Sequence, residues 1–525
     1  HRGCLPYRVQ DGYNRDRKSR ALRVAVLQNG HLRATFLLDY GGRMASLVHL
    51  PSGRELLAAN PVFQPANLAI RNAWFSGGVE WNIGVIGHSP FTCAPLHAER
   101  LTAPGGMPVL RLREWERIRQ TPFQLDIWLP DQSPFLCVRV TIRNPHDREV
   151  PMYWWSNIAV PETPGGRVLV PAGHAFRFDY TGIMDRIPVP HWKGMDISYP
   201  QQIDRSADFF FDLAEGQRPW IAALDADGRG LVQTSTPRLR GRKLFVWGMA
   251  PGGRRWQTFL AEPGQAYAEI QAGLARTQME CIPMPARAVW HWTEAYGLMA
   301  LPPDEIHGVE WEKAWRRVDR QLDATLPVAE MERHAAVGDT LAALPAATRL
   351  HTGSGWGGLD VRRRRRTTEL GGMFADAFAA DPLGPDQTPW LQLLEEGTFP
   401  APPPETAPGA WMIQKEWREL LEDALAAGGA DNWLGWLHAG VMRYADGDRA
   451  GAVAAWNRSL DHTRTAWALR NLAVVARQEK RFDEAVGLMD EACALIPDLL
   501  PLGVEWGATL LEAGRADGWL ERVAR

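Results

Sequence analysis

Over residues 1–300, apolar and polar side chains alternate in short runs, as in Leu22-Arg23-Val24-Ala25-Val26-Leu27 and His31-Leu32-Arg33-Ala34-Thr35-Phe36-Leu37. Period two puts neighbouring side chains on opposite faces of an extended chain, so these runs predict strands. Turn-forming residues separate the runs: Gln28-Asn29-Gly30, Pro51-Ser52-Gly53, Pro145-His146-Asp147, Ala226-Asp227-Gly228 and Pro251-Gly252-Gly253. Strands joined by turns, without long helical stretches between them, predict one large antiparallel β-sandwich of two sheets.

The pattern changes after residue 300. Val309, Trp311, Trp315 and Val318 recur at helical spacing, and an alanine-rich stretch follows to about residue 345. Residues 346–410 hold Gly353-Ser354-Gly355-Trp356-Gly357-Gly358 and Pro400-Ala401-Pro402-Pro403-Pro404, which predict loop or linker. Residues 411–525 are helical and repeat internally. Ala452, Trp456 and Ser459 return as Ala485, Met489 and Ala492, 33 positions later. Trp436, Ala439 and Gly440 precede the first set as Leu469, Leu472 and Ala473 precede the second. A third, degenerate copy runs through Trp506, Gly507, Leu510 and Gly514. This resembles the tetratricopeptide repeat, with its period of about 34 residues and small residues where paired helices cross. The expected division is therefore 1–300 sandwich, 301–410 helical segment and linker, and 411–525 repeats.

Composition sharpens the picture in two places. Tryptophan is unusually abundant, 24 against 17 Phe and 9 Tyr. An indole needs a partner for its N–H when buried, whereas its flat face suits stacking on a sugar ring. Arginine outnumbers lysine 52 to 6, a bias of genomic base composition that weakens any argument from Arg362–Arg366; that run reads as a solvated or phosphate-touching loop. A net charge of −3 gives no field towards nucleic acid. Five scattered cysteines without a CxxC pair predict reduced thiols. No apolar run reaches the length of about 18 residues that marks a membrane span, so a cytoplasmic protein with no membrane partner is expected. No HxH or HExxH spacing and no phosphate-binding glycine fingerprint appears, so no metal or cofactor is expected.

Four strand patterns place aromatics beside carboxylates or amides: Tyr267, Glu269 and Gln271; Trp290, Trp292, Glu294 and Tyr296; Glu80 and Asn82, opposite Trp81; and Tyr153, Trp155 and Asn157. Stacking surfaces with adjacent hydrogen-bonding groups are what a carbohydrate site requires. His88 and Trp356 lie in glycine-rich loops that could reach such a site.

These residues carry a resemblance. Glu269-Ile270-Gln271 is similar to the Glu-x-Gln element of galactose mutarotase-like (aldose epimerase) sandwiches, as are Asp39-Tyr40-Gly41-Gly42-Arg43 and Gly53-Arg54-Glu55-Leu56-Leu57 to that fold's first strands. Phe75-Ser76-Gly77-Gly78-Val79-Glu80-Trp81-Asn82-Ile83-Gly84 and Gly241-Arg242-Lys243-Leu244-Phe245-Val246-Trp247-Gly248 resemble an uncharacterised bacterial family. That family joins an epimerase-like sandwich to tetratricopeptide repeats and is thought to act on carbohydrates. The resemblance implies Glu269 as a general base. It also exposes a departure: the catalytic histidine of the Asn-His-x-Tyr-Phe strand has no counterpart in Tyr153–Asn157.

With that histidine missing, a second carboxylate would suit glycosidic cleavage. The expectation is a glycoside hydrolase on a small glycan, with Glu269 paired to Glu80, Glu162 or Glu294. Asn82, Trp81, His88, Trp155, Asn157, Gln271, Trp292, Tyr267 and Trp356 would hold the sugar. An epimerase-like enzyme and a carbohydrate-binding scaffold are the alternatives, and the repeats are expected to support a homodimer.

Overall fold

The computed structural model describes residues 4–345, 348–365, 377–515 and Trp519. It divides into two compact units, Val9–Gly357 with Thr367–Asp381, and His1–Arg8 with Gly358–Arg366 and Pro382–Arg525.

The first unit is a sandwich of an eleven-stranded and a nine-stranded antiparallel sheet. The predicted alternation appears directly: in Leu32–Leu37, Leu32, Ala34 and Phe36 are fully buried while Arg33 is exposed. The centre of the larger sheet runs Val79–Ile83, Trp154–Pro161, Tyr267–Gly273, Gly241–Val246, Ala207–Phe211. The smaller sheet is centred on Val289–Ala300 and Phe135–Arg143. Two helices, Trp311–Thr325 and Val328–Ala342, pack on the smaller sheet. The buried stripe of the first is Trp311, Ala314, Val318 and Leu322, which leaves Trp315 off it.

Three local expectations are corrected. Pro251-Gly252-Gly253 opens a helix, Pro251–Leu260, because proline at the first helical position loses no hydrogen bond there. The stretch after residue 346 is not free linker: Thr348–His351 adds an edge strand beside His97–Thr102, and Trp356–Arg365 is helical. In the Gly353–Gly358 string, the Ser354 backbone N–H and hydroxyl both donate to the buried Glu114 carboxylate. Arg363 and Arg364 are buried and ion-paired to Asp360, so this part of the arginine run is not a solvated loop, while Arg366 lies outside the described residues.

The second unit is built of helical hairpins: Trp433–Ala445 with Arg449–His462, Ala466–Gln478 with Phe482–Leu495, then Leu500–Glu512. Small residues recur at the crossings. A Cβ on Gly440 would lie 2.3 Å from the Trp456 indole, and one on Gly507 would lie 2.2 Å from that of Trp519. The proline-rich stretch is docked on these helices. Trp433 Nε1 donates to Pro402 O at 2.8 Å, Trp467 Nε1 to Pro404 O at 3.1 Å, and Asn432 Nδ2 to Phe399 O at 2.9 Å. Proline brings carbonyls without N–H groups, so the helices supply the donors. Among the described residues no helix is long and apolar enough to cross a membrane, and the five cysteines are free thiols.

Candidate functional site

Strand register places a polar row across the outer face of the larger sheet. Glu80 lies opposite Asn157, Asn157 opposite Gln271, and Gln271 opposite Lys243. The next row holds Ala159, Glu269, Phe245 and Asp208. Because register fixes these pairings, five strands converge their polar side chains on one patch. A cleft of about 430 Å³ lies over it, lined by Asn82, His88, Asn157, Asp208, Lys243, Glu269, Gln271 and Gln278. Trp74, Tyr180, Phe245, Trp247 and Trp256 also line the cleft.

Below the cleft, Glu80 Oε2 accepts from Trp74 Nε1 at 3.2 Å and Asn82 Nδ2 at 3.4 Å, and lies 2.8 Å from His88 Nδ1. Arg43, tied to the carbonyls of Phe75 and Gly77, stands 3.5 Å from the other Glu80 oxygen. Burial works to raise the Glu80 pKa, but His88 and Arg43 outweigh it and hold the carboxyl well below its usual range. An ionised carboxylate only accepts, so His88 Nδ1 carries the hydrogen and Nε2 is left for the cleft. The His88 ring also packs on Trp74 at 4.7 Å.

Glu269 is the opposite case. It is equally buried, and burial raises its pKa above the usual range; His88 and Lys243 pull the other way, while Glu80 and Asp208 add to the rise. Its Oε2 accepts from Gln271 Nε2 at 3.0 Å. Gln271 Oε1 accepts from Gln278 Nε2 at 2.6 Å, and Gln278 Oε1 from Lys243 Nζ at 2.5 Å. Lys243 is also ion-paired with Asp208 at 2.7 Å. An ammonium can only donate, so it fixes the direction of both amides and delivers a donor to Glu269. The chain of bonds therefore favours the ionised, proton-accepting form of Glu269. Asn157 Oδ1 is buried on the cleft wall without a hydrogen-bond partner, an acceptor placed for a ligand hydroxyl.

Of the residues expected from sequence, Glu269, Asn82, His88, Asn157 and Gln271 line this cleft, with Glu80 directly behind it. The others lie elsewhere. Glu294 points between the sheets, where Ser156, Trp292, Gln233 and Tyr296 all donate to it. Trp292 packs there against Trp154. Trp81 donates to Gly42 O inside the sandwich. Trp155 is fully buried and packs on Phe210, and a Cβ on Gly273 would meet its ring at 2.2 Å. Tyr267 lies edge-on to Trp247, buried. Glu162 is ion-paired with Arg254 and lines a different pocket. Trp356 is covered by the Arg117 guanidinium at 3.8 Å.

Asp208, Lys243, Gln278, Trp247 and Trp256 escaped the sequence reading. Asp208 sits before Phe209-Phe210-Phe211, where apolar residues on both faces hide the alternation. Among the described residues no group of three His, Cys, Asp or Glu side chains could hold a metal ion.

Known structures with similar folds include a TPR-domain containing protein from Parabacteroides distasonis. It is 19% identical, with a TM-score of 0.68 over all of this chain and 82% of that one. Others match about half of this chain. A putative aldose 1-epimerase from Escherichia coli K12 is 13% identical at a TM-score of 0.38, covering 54% of this chain and 100% of that one. A galactose mutarotase-like protein from Clostridium acetobutylicum is 10% identical at 0.39, covering 53% and 99%. A family described as a domain of unknown function, DUF5107, matches residues 1–285, and the chain belongs to that family.

Proposed function

We propose that the protein is a carbohydrate-active enzyme of the aldose epimerase type, opening and closing the ring of a free sugar at its anomeric centre. The observation that carries this reading is the pairing of Glu269 with His88 on one cleft. Ring opening needs a base for the anomeric hydroxyl and an acid for the ring oxygen. Glu269, its carboxyl pushed above the usual range by burial, accepts the proton from the anomeric hydroxyl. His88, its ring held at Nδ1 by Glu80, gives the Nε2 proton to the ring oxygen. The bond from the anomeric carbon to the ring oxygen breaks as the carbonyl forms. Rotation of the open chain and the reverse transfers yield the other anomer. His88 thus takes the place of the histidine that the Tyr153–Asn157 strand lacks.

Hydrolysis by two carboxylates needs a second carboxyl group able to reach the anomeric carbon. Glu80 lies behind His88, and Asp208 is ion-paired with Lys243, which favours ring opening over cleavage. Polarimetry of freshly dissolved aldoses tests the reading, with reducing-sugar release from disaccharides measured alongside. The expected result is faster α/β equilibration, lost in Glu269→Gln, with no new reducing ends. Release of reducing sugar without faster equilibration would sink it.

A further inference from the structure

We infer that the cleft carries a second sugar subsite at Trp256, so that its substrate is the reducing end of an oligosaccharide. This rests on the ring-opening reading for the chemistry, though not for the binding. The polar groups of the cleft lie on its floor, while its rim is apolar. Trp256 is 38% exposed, Ile86 53%, Met279 42% and Tyr180 57%, and all four line the same opening. Isolated exposed apolar residues are ordinary, but a group of them around one cleft marks a binding surface.

Trp256 is the outermost ring of a supported stack. It lies nearly parallel to Trp247, with ring centres 5.4 Å apart and 22° between planes. Trp247 in turn meets Phe245 and Tyr267 edge-on. The helix bearing Trp256 is pressed close: a Cβ on Gly253 would stand 2.2 Å from Trp247 O. One indole face is thereby held on Trp247, Phe259 meets the ring at a steep angle, and 38% of Trp256 stays exposed for a ligand. A rigid aromatic face loses little conformational entropy when a pyranose stacks on it. A cleft of about 430 Å³ also falls in the range of about 300–1,000 Å³ typical of small-molecule sites.

The chemistry selects the occupant. Ring opening requires a free anomeric hydroxyl, so whatever extends to the rim is attached through another hydroxyl of the reducing residue. In a reducing oligosaccharide, that substituent is another sugar. An apolar aglycone would block the anomeric oxygen itself.

The test compares glucose, maltose, cellobiose and lactose by polarimetry, and by saturation-transfer NMR, on the full chain and on Trp256→Ala. Trp256→Phe serves as the variant that keeps an aromatic ring. At least one disaccharide should be preferred over glucose by about tenfold in kcat/KM, the scale of one stacking contact. That ratio should fall towards one in Trp256→Ala and recover in Trp256→Phe. The non-reducing ring should receive saturation in the unaltered protein and lose it in Trp256→Ala. Equal kcat/KM for glucose and every disaccharide would overturn the subsite, as would a Trp256→Ala variant that lowers both alike. So would Trp256-dependent binding of phenyl glycosides in place of disaccharides. Saturation of the non-reducing ring without any acceleration of ring opening would keep the subsite and overturn the ring-opening reading.

Discussion

Glu269 and Glu294 are both fully buried carboxylates on central strands, both pushed above the usual carboxyl range by burial. They differ in their partners. Glu294 accepts from four donors, Ser156, Trp292, Gln233 and Tyr296, shared between its two oxygens. Glu269 accepts from Gln271 and faces a cleft. A carboxylate fully engaged between two sheets ties them together, while one held from a single side keeps an oxygen for chemistry. Burial and a shifted pKa are common to both, so coordination and access separate the roles.

The widest break between the two comes from exchanging their effects. Glu269→Gln should lower kcat for ring opening by about 10²–10⁴-fold, the usual weight of a general base, with little change in denaturant midpoint. Glu294→Gln should leave kcat near that of the unaltered protein but cost about 1–3 kcal/mol of stability, because an amide N–H₂ then faces donors. Urea titrations beside polarimetry read both. A loss of turnover in Glu294→Gln at full stability would erase the distinction.

His88→Asn should reduce kcat by about 10²-fold through loss of the acid. Glu80→Gln should act through His88 by loosening the contact that orients its ring. Its signature is a fall in kcat smaller than that of His88→Asn, with KM near that of the unaltered protein. An unchanged kcat would mean that Glu80 only packs.

Lys243→Met has the smallest effect expected. Removing the cation lets the Glu269 pKa rise further, so the acid limb of kcat, which requires ionised Glu269, should move to higher pH. Stability carries the same sign. A carboxyl whose folded-state pKa is raised contributes stability below its unfolded value and loses it as pH rises through the folded one. Glu294→Gln should therefore flatten the decline in stability on the alkaline side of the carboxyl range.

Period-two alternation brought out Glu269, Gln271, Asn157 and Asn82, and it brought out Trp292, Glu294 and Tyr296 equally. Alternation says that residues share a face; it does not say whether that face meets solvent, a cleft or the partner sheet. This sandwich has a polar cluster in its interior, so the same signal arose twice with opposite meanings. The helical repeats were legible because Gly440, Ala473 and Gly507 mark crossings that tolerate only small side chains. Lys243 and Gln278 were not, because their significance lies in a chain of hydrogen bonds that joins two neighbouring strands through a turn residue.

The register of the central sheet bears on how activity is acquired during folding. Strands bearing Glu80, Asn157, Gln271, Lys243 and Asp208 are neighbours in space but are drawn from across most of the sandwich sequence. Such non-local pairings close slowly, and none of the partly paired sheets contains a complete proton-transfer pair with its supporting bonds. Recovery of turnover on refolding should therefore lag behind recovery of strand content, and report when the last of these five strands has docked.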